Sequence, residues 1–177
     1  NGVWAQQAKL LATGGATGDQ CGISVAIDGN TAVVGALGDD IPGKFNAGSA
    51  LVFVRSGTTW TQQAQLNAAD SASFDAFGFA VALSGNTAVV GAIFDDHPGM
   101  GSAGSAYVFT RSGTTWTQQA KLTAADAAGG DEMGVSADVF GDTAVIGAYR
   151  CNHSERSDAG AAYVFQRTAG VWSQQVK

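Results

Sequence analysis

Trp4, Trp60, Trp116 and Trp172 follow one another at intervals of 56 residues. The pairs Gly35-Ala36, Gly91-Ala92 and Gly147-Ala148 keep the same interval. A fixed period of that length defines a tandem array, in which each unit buries its faces against its neighbours. Any fold proposed for this chain has to repeat with it.

Each unit divides into four short apolar runs with no helical i, i+3, i+4 spacing. The first is Ser24-Val25-Ala26-Ile27, matched by Ala80-Val81-Ala82-Leu83 and Ser136-Ala137-Asp138-Val139. A turn follows at Asp28-Gly29-Asn30, Ser84-Gly85-Asn86 or Phe140-Gly141-Asp142. Glycine accepts the positive φ of a two-residue hairpin loop, so runs one and two are expected to form a hairpin. Run two (Thr31 to Ala36) and run three (Ser105 to Phe109) are apolar on both faces, as strands sandwiched between sheets are. The Gly-Ala ending of run two predicts close approach of a neighbouring backbone. Run four, Trp60-Thr61-Gln62-Gln63-Ala64-Gln65-Leu66, alternates apolar and polar like an outer strand wetted on one side. Four-stranded antiparallel units of this kind are β-propeller blades; a β-sandwich or β-prism is the alternative.

The bulk numbers exclude several classes. A net charge of −6 argues against nucleic acid, which needs clustered Lys and Arg. No run reaches 18 apolar residues, so no helical membrane span is expected. Charged residues make up 14% and hydrophobics 45%, which suits a packed domain and not a disordered chain. The sequence opens at Asn1 with no signal peptide, as a mature secreted product or an excised piece of a longer protein would.

Phe77-Gly78, Val90-Gly91-Ala92 and Gly104-Ser105-Ala106-Tyr107-Val108-Phe109 resemble the FG-GAP repeat, the blade unit also found in the integrin α-subunit propeller. The Trp-x-Gln-Gln-x-x-Leu run resembles a bacterial-type subgroup. Cys21 and Met133 stand where Phe77 does, and the Pro that follows Gly-Ala in the family pattern is missing. The resemblance implies an extracellular or cell-surface β-propeller used in adhesion or ligand contact, and implies no enzyme.

On this reading residues 1–177 are one all-β array: an extra outer strand at 3–10, then blades at 21–67, 77–123 and 133–177. Propellers typically close with four to eight blades. Three would leave two apolar blade faces bare, which soluble monomers avoid. Self-association is therefore expected, as a closed six-bladed ring or an open filament; a window cut from a longer array is the third option.

Several residues are candidate sites. Cys21 and Cys151 are absent from the middle blade. A disulfide between chains is expected before one within the chain, because a whole blade separates them and the bond needs Cβ atoms about 3.5–4.5 Å apart; free thiols are the alternative. Asp39-Asp40 and Asp95-Asp96 occupy equivalent loops and are candidate Ca²⁺ ligands, although the integrin-type Asp-x-Asp-x-Asp-Gly pattern is absent. Asp19, Asp75 and Asp131 form a second set, expected to cap loops. Asp138 replaces Ala26 and Ala82 inside the first run, and should face water in a central channel or meet a ligand. Asn152-His153-Ser154 is a glycosylation sequon within a charged loop that also holds Arg150, Glu155, Arg156 and Asp158. His97 and His153 fall in different blades, and no Ser/His/Asp set, zinc spacing or phosphate loop is visible. The expectation is a non-enzymatic structural or adhesive module whose partner is itself. The alternative is a lectin-like propeller that binds glycans or surface proteins through its loops.

Overall fold

The computed structural model describes residues 2–153 and 156–177. Twelve strands form three four-stranded antiparallel sheets, each in simple meander order. Blade one holds β1 (Cys21–Asp28), β2 (Thr31–Ala36), β3 (Ser49–Ser56) and β4 (Thr59–Leu66). Blade two holds β5 (Phe77–Ser84), β6 (Thr87–Ala92), β7 (Ser105–Ser112) and β8 (Thr115–Leu122). Blade three holds β9 (Met133–Phe140), β10 (Thr143–Ala148), β11 (Ala161–Thr168) and β12 (Val171–Val176). Among the described residues no helix is long and apolar enough to cross a membrane.

The expected hairpins form. Gly29, Gly85 and Gly141 take φ between 56° and 58° at the first loop position, which suits glycine and strains other residues. Asp19, Asp75 and Asp131 cap the loop before each blade, accepting from the backbone N–H of Ala16, Ala72 and Ala128 at 2.5, 2.6 and 2.9 Å.

Two cores lie between blades. One joins Val33 and Val52 of blade one to Val81, Val90 and Tyr107 of blade two. The other joins Val89 and Val108 of blade two to Ile146, Tyr163 and Phe165 of blade three. Phe77 meets Tyr107 and Phe109 edge-on, with centroids 5.5 and 5.9 Å away, and so fastens the inner strand to its own blade. Blades are also stitched through backbone: Phe77 N–H donates to Ala47 O at 3.0 Å and Met133 N–H to Ala103 O at 3.0 Å.

One expectation needs correction. Residues 3–10 belong to no strand, and Trp4 is 99% exposed. Their sequence alternates correctly, but an outer strand needs a third strand to bond with, and none of the described residues supplies it. Leu10 nevertheless packs with Trp60 against Val34, Leu51 and Phe53 on the outer side of blade one.

Candidate blade-to-blade interface

The sheets leave two unlike faces. Blade three turns forward a face carrying Val145, whose equivalents Val33 and Val89 are fully buried, yet Val145 is 40% exposed. Blade one turns backward a face carrying Val25 at 69% exposure, where the equivalent Val81 is at 6%. Strand β6 is buried along its whole length, whereas β10 alternates between buried and open positions. Sequence position predicts neither exposure; the presence of a neighbour decides both.

Three repeated contacts define how one blade seats on the next. A β-carbon on Gly35 would come to 1.9 Å from the carbonyl oxygen of Gly78, and one on Gly91 to 2.0 Å from that of Gly134. The closeness predicted from the Gly-Ala endings is therefore real, and its partner is the glycine just inside the following blade. Arg111 Nη1 donates to Thr31 Oγ1 at 2.9 Å across the first junction, and Arg167 Nη1 to Thr87 Oγ1 at 3.3 Å across the second. Trp116 Nε1 donates to Gln63 Oε1 at 3.1 Å, and Trp172 Nε1 to Gln119 Oε1 at 2.9 Å. Each of these tryptophans also lies under the arginine of its own blade, with the guanidinium carbon of Arg111 5.3 Å from the ring centre and that of Arg167 at 5.2 Å. The tryptophans are thus half-buried structural residues. Of this pattern the sequence showed the tryptophan period and the close approach at the glycines; the arginines and threonines recur at the same 56-residue interval and would have been found by asking which polar residues repeat.

At the ends of the array the same parts stand unmatched. Nothing lies within 4 Å of a β-carbon built on Gly22, the counterpart of Gly78 and Gly134, and one built on Gly147 meets side-chain atoms of Val135 and Ser136 where Gly35 and Gly91 meet backbone. Asp138 sits on the forward face, exposed, at the position where Ala26 and Ala82 pack against the next blade. Phe140 beside it is 87% exposed.

The acidic pairs have other work. Asp40 Oδ1 accepts from Asn46 N–H at 2.7 Å and Asp96 Oδ1 from Ser102 N–H at 2.6 Å, each closing its own loop. Asn152 repeats this in blade three, accepting from Asp158 N–H at 3.0 Å. Asp39 accepts from Gln65 Nε2 at 2.8 Å. Asp95 is buried, takes Ser105 Oγ–H at 2.5 Å and pairs with Lys121 Nζ at 2.8 Å. Calcium wants six to eight oxygens, and among the described residues no three Asp, Glu, His or Cys side chains converge on one point. The hydrogen bonds of these four aspartates tie them to their own blades.

Lys121 bridges Asp70 at 2.7 Å as well as Asp95. Burial works against its charge, but the hydrogen bonds to the two carboxylates hold its pKa above the ordinary lysine value. Tyr107, desolvated and facing Asp95, is pushed well above the usual phenol range. His97 Nε2 lies 2.9 Å from Ser105 Oγ and 3.5 Å from Asp95 Oδ2, a Ser/His/Asp meeting that the sequence did not reveal. Ser105 is fully buried and directs its hydroxyl to Asp95, so a substrate carbonyl has no path to it.

Within the chain the two cysteines do not pair. Both cysteines are free thiols. Cys151 is 2% exposed and its sulfur lies 3.3 Å from Tyr163 Oη, turned back into the junction of blades two and three. Cys21 is exposed at the backward face of blade one, where partial desolvation by its neighbours still raises the thiol pKa. A bond between chains would require Cys151 to leave its core. Asn152 is exposed; Ser154 of its sequon, like Glu155, lies outside the described residues. Arg150 in that loop pairs with Glu132 at 3.0 Å.

The FG-GAP repeat family model matches residues 4–53, 60–109 and 116–165. The chain belongs to the FG-GAP repeat family. Each FG-GAP match starts at a tryptophan and ends in the third strand of a blade, so the sequence repeat runs one strand out of phase with the structural blade. FG-GAP repeats are typical of extracellular and surface proteins. A search of curated proteins finds no match.

Proposed function

We propose that this FG-GAP array is a non-enzymatic extracellular structural or adhesive module, which associates with its own copies by seating the backward face of blade one on the forward face of blade three. The observation that carries the reading is the pairing of unmatched halves: Gly147 on one face and Gly22 on the other correspond to a contact made twice inside the chain. Burying faces of the size of a blade removes apolar surface such as Val145 and Val25 from water, at roughly 25 cal/mol per Å². Two chains in a ring and many in a filament satisfy the same contact.

Sedimentation or light scattering over a concentration series tests it. The mass of the wild-type protein should rise above the 17.8 kDa of one chain. Val145→Asp should hold it there, because an unpaired carboxylate is costly to bury. A wild-type mass fixed at one chain across the series would remove the reading.

A second reading draws support from a cleft of about 540 Å³ beside blade one, lined by Asp19, Asp39, Asp40, Lys44, Gln65 and Asn67 among others. Such a polar cleft suits a glycan or another polar ligand. A glycan array separates the two: binding by a discrete small species favours the lectin-like role, and long polymers without binding favour the scaffold.

A further inference from the structure

Residues 3–9 and 171–177 are nearly the same peptide, Val-Trp-Ala-Gln-Gln-Ala-Lys against Val-Trp-Ser-Gln-Gln-Val-Lys, identical at five of seven positions. The second copy is β12 with the residue after it. Its ties to the rest of blades two and three come from residues that the first copy repeats. Trp172 bonds Gln119, Gln174 accepts from Ala125 N–H at 2.9 Å, and Lys177 pairs with Asp126 at 2.6 Å. Trp4, Gln6 and Lys9 are the counterparts.

The first copy is already held where an outer strand of a preceding blade would lie. Trp60 Nε1 donates to Gln7 Oε1 at 2.9 Å, the bond that Trp116 makes to Gln63 and Trp172 to Gln119. Thr13 N–H donates to Gln62 Oε1 at 2.8 Å, as Ala69 does to Gln118 and Ala125 to Gln174 at 2.9 Å. Leu10 stands at the position of Leu66 and Leu122 and packs under blade one. The segment thus has its register and its anchors, and none of the described residues offers it a sheet to join.

When one chain seats on another, both peptides lay claim to a single place beside β11. Of the two, β12 is the easier to release. It spans six residues where β4 and β8 span eight, and it is exposed along most of its length. Its hairpin loop puts Ala169 at φ 51°, a left-handed conformation that a β-carbon disfavours, where the other two loops use Gly57 and Gly113.

We infer that residues 3–10 are a donor strand: in the head-to-tail contact they pair with β11 of a second copy in the place held by β12 of that copy. The inference rests on the self-association reading and adds to it which strand crosses between chains. Strand exchange of this type binds through main-chain hydrogen bonds and takes its register from side-chain anchors.

Disulfide trapping in the 177-residue chain tests it. Gln166 of β11 faces Ser173 of β12, whose counterpart is Ala5. A C21S/A5C/Q166C variant leaves its new thiols on exposed positions. Mild oxidation should convert most of it into dimers or longer ladders on a non-reducing gel, with each single-cysteine variant giving far less. Sedimentation of the same chain before oxidation separates the two ideas. Association without the cross-link leaves head-to-tail contact standing and overturns the donor strand, since β12 has then kept its place. No association and no cross-link overturns both.

Discussion

A β-carbon placed on Gly91 would stand 2.0 Å from the carbonyl oxygen of Gly134, closer than any side chain tolerates. Gly147, one repeat on, meets only the rotatable Oγ of Ser136 at 2.3 Å, with Val135 Cγ1 and Ser136 Cβ at 3.5 Å or beyond. Gly91→Ala should therefore push blades two and three apart and destabilise the fold by about 3 kcal/mol, the upper end of the usual cost of overpacking. Gly147→Ala should change the unfolding free energy by less than about 1 kcal/mol, because a hydroxyl rotamer can yield. It should still abolish head-to-tail association, since the added methyl stands where the Gly22 carbonyl of another copy would seat. Urea unfolding and sedimentation on both variants check the pair.

The same position makes clear what the sequence could and could not tell. Period, turn glycines and two-faced apolar runs were enough for strands, blades and even the close backbone approach at Gly35 and Gly91. They were not enough for residues 3–10, whose alternation matches that of β4 and β8: strand formation depends on a hydrogen-bonding neighbour, which no local pattern reports. The surroundings of Cys151 were only partly legible for a related reason. Its place in the chain put it near a junction, but which side of the sheet it faces depends on its contact with Tyr163. Asp39 and Asp95 read alike as loop carboxylates, and only the fold shows Asp95 buried against Lys121 and Tyr107.

Ser49 and Ser105 are equivalent and both fully buried, yet their hydroxyls fare differently. Ser105 donates to Asp95 at 2.5 Å, while Ser49 Oγ has no partner among the described residues. A buried unsatisfied hydroxyl costs about 1–3 kcal/mol, whereas a satisfied one contributes. Ser49→Ala should raise stability by about 1 kcal/mol, and Ser105→Ala should lower it by about as much or more, leaving Asp95 short of a donor. Thermal unfolding of the two variants should move the midpoint in opposite directions.

Asp75 gives the fold a pH dependence. Burial pushes its pKa up to about 6, despite the bond it accepts from Ala72 N–H. Because the folded value lies above the unfolded one near 3.8, the native state holds the extra proton between those limits. Stability from this group is therefore full below about pH 4 and is lost as the pH rises through 6. Asp70 works the other way: hydrogen bonding to Lys121 holds its pKa below the ordinary value in spite of burial, so its contribution is present at neutral pH and is lost in acid. In Asp75→Asn the loss of stability between pH 4 and pH 6.5 should shrink, with the amide oxygen keeping the loop bond. An unchanged pH slope, measured by urea unfolding at several pH values, would assign the dependence to other groups.

In the head-to-tail association proposed above, Asp138 is a residue of the forward face that should oppose docking. Ala26 and Ala82, its counterparts, pack against the following blade in the two internal junctions, while Asp138 is exposed and accepts from the backbone N–H of Val139 at 2.9 Å. Seating another blade there brings its carboxylate up to a face bearing Val25 and Ile27. Unless the charge reaches water along the inner edge of the sheet, that step is costly. Asp138→Ala restores the side chain used at both internal junctions, and should tighten association by about tenfold, equivalent to about 1.4 kcal/mol. The fold should hardly respond, since the side chain supports no core. Concentration-dependent sedimentation of the variant beside the wild type measures the change. Equal association constants would mean that Asp138 stays in water when chains meet, as a residue lining a central channel does, and weaker association would mean that its carboxylate finds a donor on the incoming blade.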